Sequence, residues 1–132
     1  MRRLSLLCLP LIAAACSQPA ALQRSYNVYF LQDSAVLDPA ATQVVSYAAE
    51  LAKEYPGLNV TVSGYGGKAS DQASMVTETP LAKLRANAVR DQLVADGIAK
   101  SRIERSVHTV DASNLAVAER RVDIDIGDVS SK

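Results

Sequence analysis

Few residues in this 132-residue chain could carry catalytic or metal chemistry. His108 is the single histidine, and its place in the sequence favours a strand or core position over a metal ligand. The glycine-rich residues 64–67 could form a nest for an anion, but they lack the lysine and the serine or threonine of a phosphate-binding loop. No serine stands in the pattern of a nucleophile elbow. The sequence therefore predicts no catalytic residue, no metal site, no cofactor and no enzymatic activity.

Cys16 is the residue whose chemistry the sequence defines best. Arg2 and Arg3 begin the chain, residues 4–15 form an apolar run that ends in three alanines, and Cys16 follows directly. Such a pattern predicts a secretory signal, and its apolar run is too short to cross about 30 Å of hydrocarbon as a helix. The segment resembles a bacterial lipoprotein signal, which implies cleavage before Cys16 and acylation of its sulfur. The alternative is an ordinary secretory signal cut near Ala15, which would leave a free thiol.

Cleavage at this point divides the chain into three parts: a signal peptide at residues 1–15, the lipidated cysteine with a short tether at residues 16–24, and a single domain at residues 25–132. The loss of two arginines leaves 12 basic and 14 acidic side chains, a formal charge of −2. This balance argues against nucleic acid as a partner. Several acyl chains hold a protein on a membrane almost permanently. We therefore expect the membrane to be contacted through the lipid on Cys16.

Periodicity predicts an alternation of strands and helices in the domain. Apolar and polar residues alternate at residues 26–31, 58–63 and 122–126, which predicts three strands, and residues 103–110 are predicted to form a further strand. Apolar residues spaced by three and four predict one helix from Asp38-Pro39 to Pro56-Gly57 and a second from Thr79-Pro80 to Asp96-Gly97. Residues 64–78 are predicted to form a long loop, and residues 111–119 a loop or a short helix.

The predicted apolar stripes orient the two helices. The first stripe consists of Ala41, Val44, Val45, Ala48, Leu51, Ala52 and Tyr55, and the second of Leu81, Leu84, Ala88, Val89 and Leu93. Strand–helix–strand units place their helices against the sheet, and strands with one polar face indicate that the other face of the sheet is solvated. The predicted fold class is α+β, a two-layer sandwich of the order βαβαβ(α)β with helices on one face of a mixed sheet.

Five segments in this order resemble the OmpA-like C-terminal domain, which is also found in peptidoglycan-associated lipoprotein and in flagellar stator proteins. They are Val28-Tyr29-Phe30 with residues 33–37, the strand of residues 58–64, residues 81–89, Ser101-Arg102-Ile103 and residues 120–124. Each segment alone is a weak signal, but together they cover nearly the whole predicted domain.

The resemblance implies non-covalent binding of the diaminopimelate side stem of peptidoglycan. Arg85 stands at the position of the arginine that grips the ligand carboxylate in the family, near the start of the second helix; a surface arginine is the alternative. The acid that accepts from the ligand ammonium in the family falls on Gly67, which has no side chain. Asp71 could take its place, and Asp33 is a second candidate acid; each could instead be an ordinary loop or turn residue. Glu119 replaces an asparagine of the family and adds a negative charge near the site.

Two functions follow from the resemblance and from these departures. The first is an outer-membrane lipoprotein that faces the periplasm and binds or lies against peptidoglycan without catalysis. The second is a domain that has lost peptidoglycan binding and serves as a protein-interaction subunit, with other envelope proteins as partners. Because Ser17 follows Cys16, the resemblance to lipoprotein signals implies sorting to the outer membrane.

Overall fold

The computed structural model describes residues 22–67, 78–110 and 117–127. The order of elements agrees with the sequence prediction. The strands are β1 (Arg24–Tyr29), β2 (Asn59–Gly67), β3 (Ile103–Val110) and β4 (Arg121–Gly127), the helices are α1 (Pro39–Glu54) and α2 (Glu78–Ala95), and short 3₁₀ turns cover Lys100–Arg102 and Ala118–Arg120.

The four strands form one mixed sheet in the order β1-β4-β2-β3. β2 and β3 are parallel, whereas β4 pairs antiparallel with both β1 and β2. Alternate residues of β2 and β4 are fully buried and form one core with the inner faces of both helices. The α+β sandwich is therefore confirmed, with both helices against one face of the sheet. None of the helices among the described residues has the length and apolarity that crossing a bilayer requires.

Helix α1 begins where the sequence predicts. Asp38 is its N-cap, and the Asp38 carboxylate accepts a 2.7 Å hydrogen bond from the backbone N–H of Ala41. Pro39 occupies the first turn, where a missing N–H has no cost. The buried residues of this helix are alanines and one valine: Ala41, Val45, Ala48, Ala49 and Ala52. Small side chains on this face allow close packing of the helix on the sheet.

Helix α2 ends as predicted but is rotated from its predicted orientation. Gly97 has φ of 102°, and the bonds Ile98 N to Leu93 O and Gly97 N to Val94 O close a Schellman motif. Leu84, predicted to lie in the core, is 55% exposed. The residues that are buried on this helix are Ala82, Arg85, Ala86, Val89 and Leu93.

Gly64 explains this rotation. A Cβ on Gly64 would lie 2.6 Å from the carbonyl oxygen of Ala82 and 3.1 Å from the Cβ of Ala86. The backbone of α2 therefore lies almost directly on β2, and only alanine fits at the contact. Because the two alanines occupy this position, Leu84 is turned outward.

Strand β2 is longer than predicted, so the prediction of a loop over residues 64–78 is wrong at its beginning. Tyr65, Gly66 and Gly67 pair in parallel with residues 108–110 of β3. Pairing uses backbone groups, which glycine supplies as well as any other residue. Because residues 64–67 form an extended strand, they do not form the anion-binding nest that was considered for them. Helix α2 begins at Glu78, one residue before the predicted cap.

The predicted short helix of residues 111–119 lies mostly outside the described residues. Its described end is the 3₁₀ turn Ala118–Arg120, which leads directly into β4. The backbone N–H of Phe30 donates to the Arg120 carbonyl at 2.9 Å, so this turn is attached to the end of β1.

Candidate functional site

Arg85 lies in the third turn of α2, about 10 Å along the axis from the helix start. Arg85 therefore lies beyond the first turn of the helix, where the N–H groups have no partner within the helix. The side chain is fully buried, which excludes the interpretation as a surface arginine. A buried guanidinium is rare and costly unless its N–H groups find acceptors. The contacts of this side chain consequently define the candidate site.

Three backbone carbonyls surround the Arg85 guanidinium. Nε donates to Ser34 O at 2.8 Å, Nη1 to Glu119 O at 3.1 Å and Nη2 to Leu31 O at 3.4 Å. The guanidinium carbon also lies 5.8 Å from the centre of the Phe30 ring. Arg85 thereby joins α2, the segment after β1 and the turn before β4. The sequence predicts ligand contacts in the first two of these places, at Arg85 and Asp33, whereas its third candidate, Asp71, lies in the segment after β2.

Asp33 lies in the turn that follows β1. Its φ is 52°, a left-handed conformation that aspartate tolerates better than most residues, and the turn is closed by a 3.3 Å bond from Ser34 N to Leu31 O. Its side chain is exposed. Asp33 is thus a turn residue between two carbonyls that hold Arg85, and a ligand at the surface could still reach its carboxylate. Asp71 and Cys16 lie outside the described residues.

Glu119 lies against Gly67. A Cβ on Gly67 would come within 2.6 Å of the carboxyl carbon of Glu119 and 3.0 Å of its Oε2. The Glu119 carboxylate therefore occupies the space in which a side chain of residue 67 would begin. The backbone carbonyl of Glu119 is one of the three that accept hydrogen bonds from Arg85. The sequence identifies both residues as departures from the family pattern, but it does not indicate that they are in contact.

The sheet face opposite the helices carries a second group of polar side chains, here called the open-face cluster: Ser63, Tyr65, Ser106, His108, Arg121 and Asp123. The Arg121 guanidinium carbon lies 4.5 Å from the centre of the Tyr65 ring, and Tyr65 stacks on His108 with ring centres 5.4 Å apart. The Ser106 hydroxyl is 3.0 Å from both Ser63 Oγ and His108 Nε2. His108 is therefore a strand histidine, as predicted.

Asp123 is more buried than its place on the polar face of a strand would suggest. It lies on the predicted polar face of β4, but only 14% of its side chain is exposed, and it forms a 2.9 Å ion pair with Arg121 Nε. Burial raises the pKa of the Asp123 carboxyl, Asp125 raises it further, and Arg121 opposes the shift. Burial and the charge of Asp123 likewise raise the pKa of Tyr65. In the sequence, the pattern Arg-Val-Asp at residues 121–123 indicates the ion pair of Arg121 and Asp123, because it places two opposite charges on one face of a strand.

The described side chains offer no metal centre. Among residues 22–67, 78–110 and 117–127, no group of three or more His, Cys, Asp or Glu could hold a metal ion. The buried Arg85 cation instead contacts the backbone of two segments that carry acids: Asp33, which is exposed, and Glu119, which is partly buried. This chemistry suits a small ligand that bears both a carboxylate and an ammonium group.

A four-stranded mixed sheet with two helices on one face is the α+β architecture of OmpA-like domains. The OmpA family profile matches residues 29–121, and the chain belongs to this family. A comparison with the sequences of curated proteins gives no match.

Solved structures share the fold at low sequence identity. The OmpA-like domain of FopA1 from Francisella tularensis subsp. tularensis SCHU S4 is 18% identical with a TM-score of 0.66, and the match covers 81% of this chain and 73% of that one. The peptidoglycan-associated lipoprotein of Burkholderia pseudomallei is 21% identical with a TM-score of 0.60, covering 76% and 89%. The cell wall anchor of the T6SS from Pseudomonas aeruginosa is 19% identical with a TM-score of 0.62, covering 80% and 81%.

Proposed function

We propose that this chain is a non-catalytic cell-envelope protein whose domain binds the peptide stem of peptidoglycan. The observation that carries this proposal is the burial of Arg85 among carbonyls from the β1 turn and the turn before β4. Family membership supports it, and so do the names of two structural neighbours, a peptidoglycan-associated lipoprotein and a cell wall anchor.

The ligand chemistry fits this part of the molecule. A diaminopimelate side stem carries a carboxylate and an ammonium group on one short chain. The positive charge of Arg85 favours the carboxylate, and an exposed acid such as Asp33 can accept from the ammonium. Asp71 is a further candidate acid from the sequence. The proposed contacts are therefore electrostatic and reversible, in keeping with a protein that holds the cell wall without modifying it.

The proposed location follows from Cys16. A lipid on this sulfur would attach the chain to the outer membrane, with the domain facing the periplasm. Between Cys16 and β1, the residues 17–23 reach under roughly 30 Å even when fully extended. The domain would consequently remain close to its membrane and contact peptidoglycan only where the wall lies near.

Retention on purified diaminopimelate-type sacculi tests the proposal. The domain of residues 22–132 is incubated with sacculi, sedimented and quantified, alongside Asp33→Asn and Arg85→Lys. We expect the wild-type domain to sediment, the Asp33 variant to be weakened about threefold, and the Arg85 variant to be weakened at least tenfold, because lysine cannot supply the forked donors. Arg90→Ala, which changes a partly exposed arginine paired with Asp91, is the matched control.

Thermal melting of each variant separates loss of binding from loss of folding. Wild-type protein that stays in the supernatant would overturn the proposal. Equal retention of the Arg85→Lys and Arg90→Ala variants would overturn the role of Arg85.

A second candidate function is protein interaction. Four apolar side chains that lie within two residues, along the chain, of Arg85 or of one of its carbonyl partners are each more than half exposed: Leu31, Val36, Leu84 and Val117. Apolar side chains grouped at the surface favour a protein-binding site. In this function the domain would be a subunit of an outer-membrane complex without affinity for peptidoglycan.

Affinity capture from envelope extracts distinguishes this function from the first. A protein-interaction subunit should return partners in stoichiometric amounts and should not be retained on sacculi, and Leu84→Ser should abolish the recovery of those partners. Recovery of the domain alone would contradict this second function.

A further inference from the structure

We propose that Glu119 supplies the carboxylate that receives the ammonium group of the ligand, in the side-chain space of Gly67. This inference rests on the proposed function and identifies the acid of that same site. It assigns the role to a residue on the turn before β4, rather than to an acid at the end of β2 or in the segment that follows it.

The geometry around Gly67 carries the inference. Gly67 is the last residue of β2, and its missing side chain leaves room that the Glu119 carboxylate fills: the carboxyl carbon lies 2.6 Å, and Oε2 3.0 Å, from the position a Cβ would take. A larger residue at position 67 would therefore displace this carboxylate. The glycine is a requirement of the arrangement, and the carboxylate in this space comes from residue 119.

The backbone holds Glu119 on both sides. Its carbonyl accepts from Arg85 Nη1 at 3.1 Å. The next residue, Arg120, donates its N–H to Val117 O at 3.1 Å and accepts from Phe30 N at 2.9 Å, and β4 then begins at Arg121. The backbone from which this acid projects is therefore already ordered before a ligand binds.

Glu119 also couples the two charges of the site. Arg85 donates to the backbone carbonyl of Glu119, and the side chain of Glu119 carries the negative charge. Glu119 therefore binds the cation of the site with its backbone and supplies the anion with its side chain. A ligand with a carboxylate and an ammonium group on one short chain has charges complementary to those of Arg85 and Glu119. A ligand whose amine is acylated has no cation for Glu119 and should bind weakly.

The test exchanges the residues at positions 67 and 119. Retention on diaminopimelate-type sacculi is measured for the wild-type domain, for Glu119→Gln and for the double variant Gly67→Asp with Glu119→Asn. Glu104→Gln, which removes an exposed acid on β3, is the control for net charge. A second arm repeats the assay on sacculi whose free amines have been acetylated.

We expect Glu119→Gln to weaken retention at least tenfold, since hydrogen bonds between charged groups are the strong ones. The double variant should return to within about threefold of wild type because the acid is then supplied from position 67. The Glu104→Gln control should remain unchanged, and acetylation should reduce retention of the wild type. Thermal melting confirms that each variant is folded.

The contrary outcomes are distinct. Wild-type retention that Glu119→Gln leaves intact overturns this inference and leaves the proposed function in place. If Glu119→Gln loses retention and the double variant does not restore it, the ammonium group is not bound in the side-chain space of Gly67. A wild-type domain that does not bind sacculi at all overturns the proposed function and, with it, the inference.

Discussion

Arg85 Nε donates a 2.8 Å hydrogen bond to the carbonyl oxygen of Ser34, across 51 residues of sequence. This bond attaches the third turn of α2 to the segment that leaves β1. Together with the bonds to Leu31 and Glu119, it gives a buried cation a structural role at the same point as the proposed binding role. Variants of Arg85 must therefore be examined for stability as well as for binding.

Replacing Arg85 by methionine should destabilise the domain strongly. The substitution keeps most of the side-chain volume but leaves three carbonyl acceptors without this donor. An unsatisfied buried polar group costs about 1–3 kcal/mol. We expect the free energy of unfolding to fall by about 3–5 kcal/mol, measured by urea denaturation. Arg90→Ala should change it by less than about 0.5 kcal/mol. A small effect of Arg85→Met would show that the junction does not need this donor.

Gly64→Ala tests the close approach of α2 to β2. The added methyl would lie 2.6 Å from the Ala82 carbonyl oxygen, a backbone atom that can move only with the helix. Overpacking of this kind costs about 1–3 kcal/mol, and we expect a loss of that size in urea denaturation. Gly57→Ala is the matched control, since no atom lies within 4 Å of its added methyl. Equal effects of the two substitutions would contradict the proposed contact.

The contrast between α1 and α2 shows what the sequence could predict. The cap at Asp38, the proline after it and the apolar stripe of α1 are local signals, and the structure agrees with them except at Tyr55, which is the C-cap and is 40% exposed. In α2 the buried face includes Arg85, which no hydropathy pattern would place in a core. The orientation of that helix depends on Gly64, 18 residues earlier than Ala82, and this contact is tertiary.

The candidate site was predictable in part. Resemblance to the family identifies Arg85 and marks Gly67 and Glu119 as departures from its pattern. The contact between these two departures could not be predicted, because it depends on how the turn before β4 meets the end of β2. The open-face cluster was missed for a related reason. Alternation indicates that Tyr65, His108 and Arg121 share a face, but only the strand order β4-β2-β3 makes them neighbours.

Asp123 should make the stability of the domain depend on pH. Its pKa in the folded state is raised, chiefly by burial and further by Asp125, against the opposing effect of Arg121. A raised pKa means that the folded state favours the protonated carboxyl. The stabilisation is complete below the ordinary aspartate pKa and is lost as the pH rises through the folded-state pKa.

Asp123→Asn should therefore be more stable relative to wild type at pH 7 than at pH 3. Thermal denaturation of both proteins at the two pH values gives this difference directly. The comparison within each pH cancels the contributions of the other acids, provided that they are unaffected by the substitution. A difference between the two proteins that is the same at both pH values would contradict the expected titration.

The lipid on Cys16 can be tested with two cysteine variants of the full chain. Expressed in a Gram-negative bacterium, the wild-type protein should remain with the membranes after a high-salt wash, and its mass should exceed that of residues 16–132 by the added acyl groups. Cys16→Ser should release the protein from the membrane fraction, because the attachment depends on acyl chains that contribute about 0.8 kcal/mol per buried CH₂. Cys8→Ser is the matched control: residue 8 lies in the predicted signal peptide, so its replacement should change neither the mature mass nor the fractionation. A wild-type protein of unmodified mass whose thiol reacts with a maleimide would favour an ordinary secretory signal and contradict the lipid anchor.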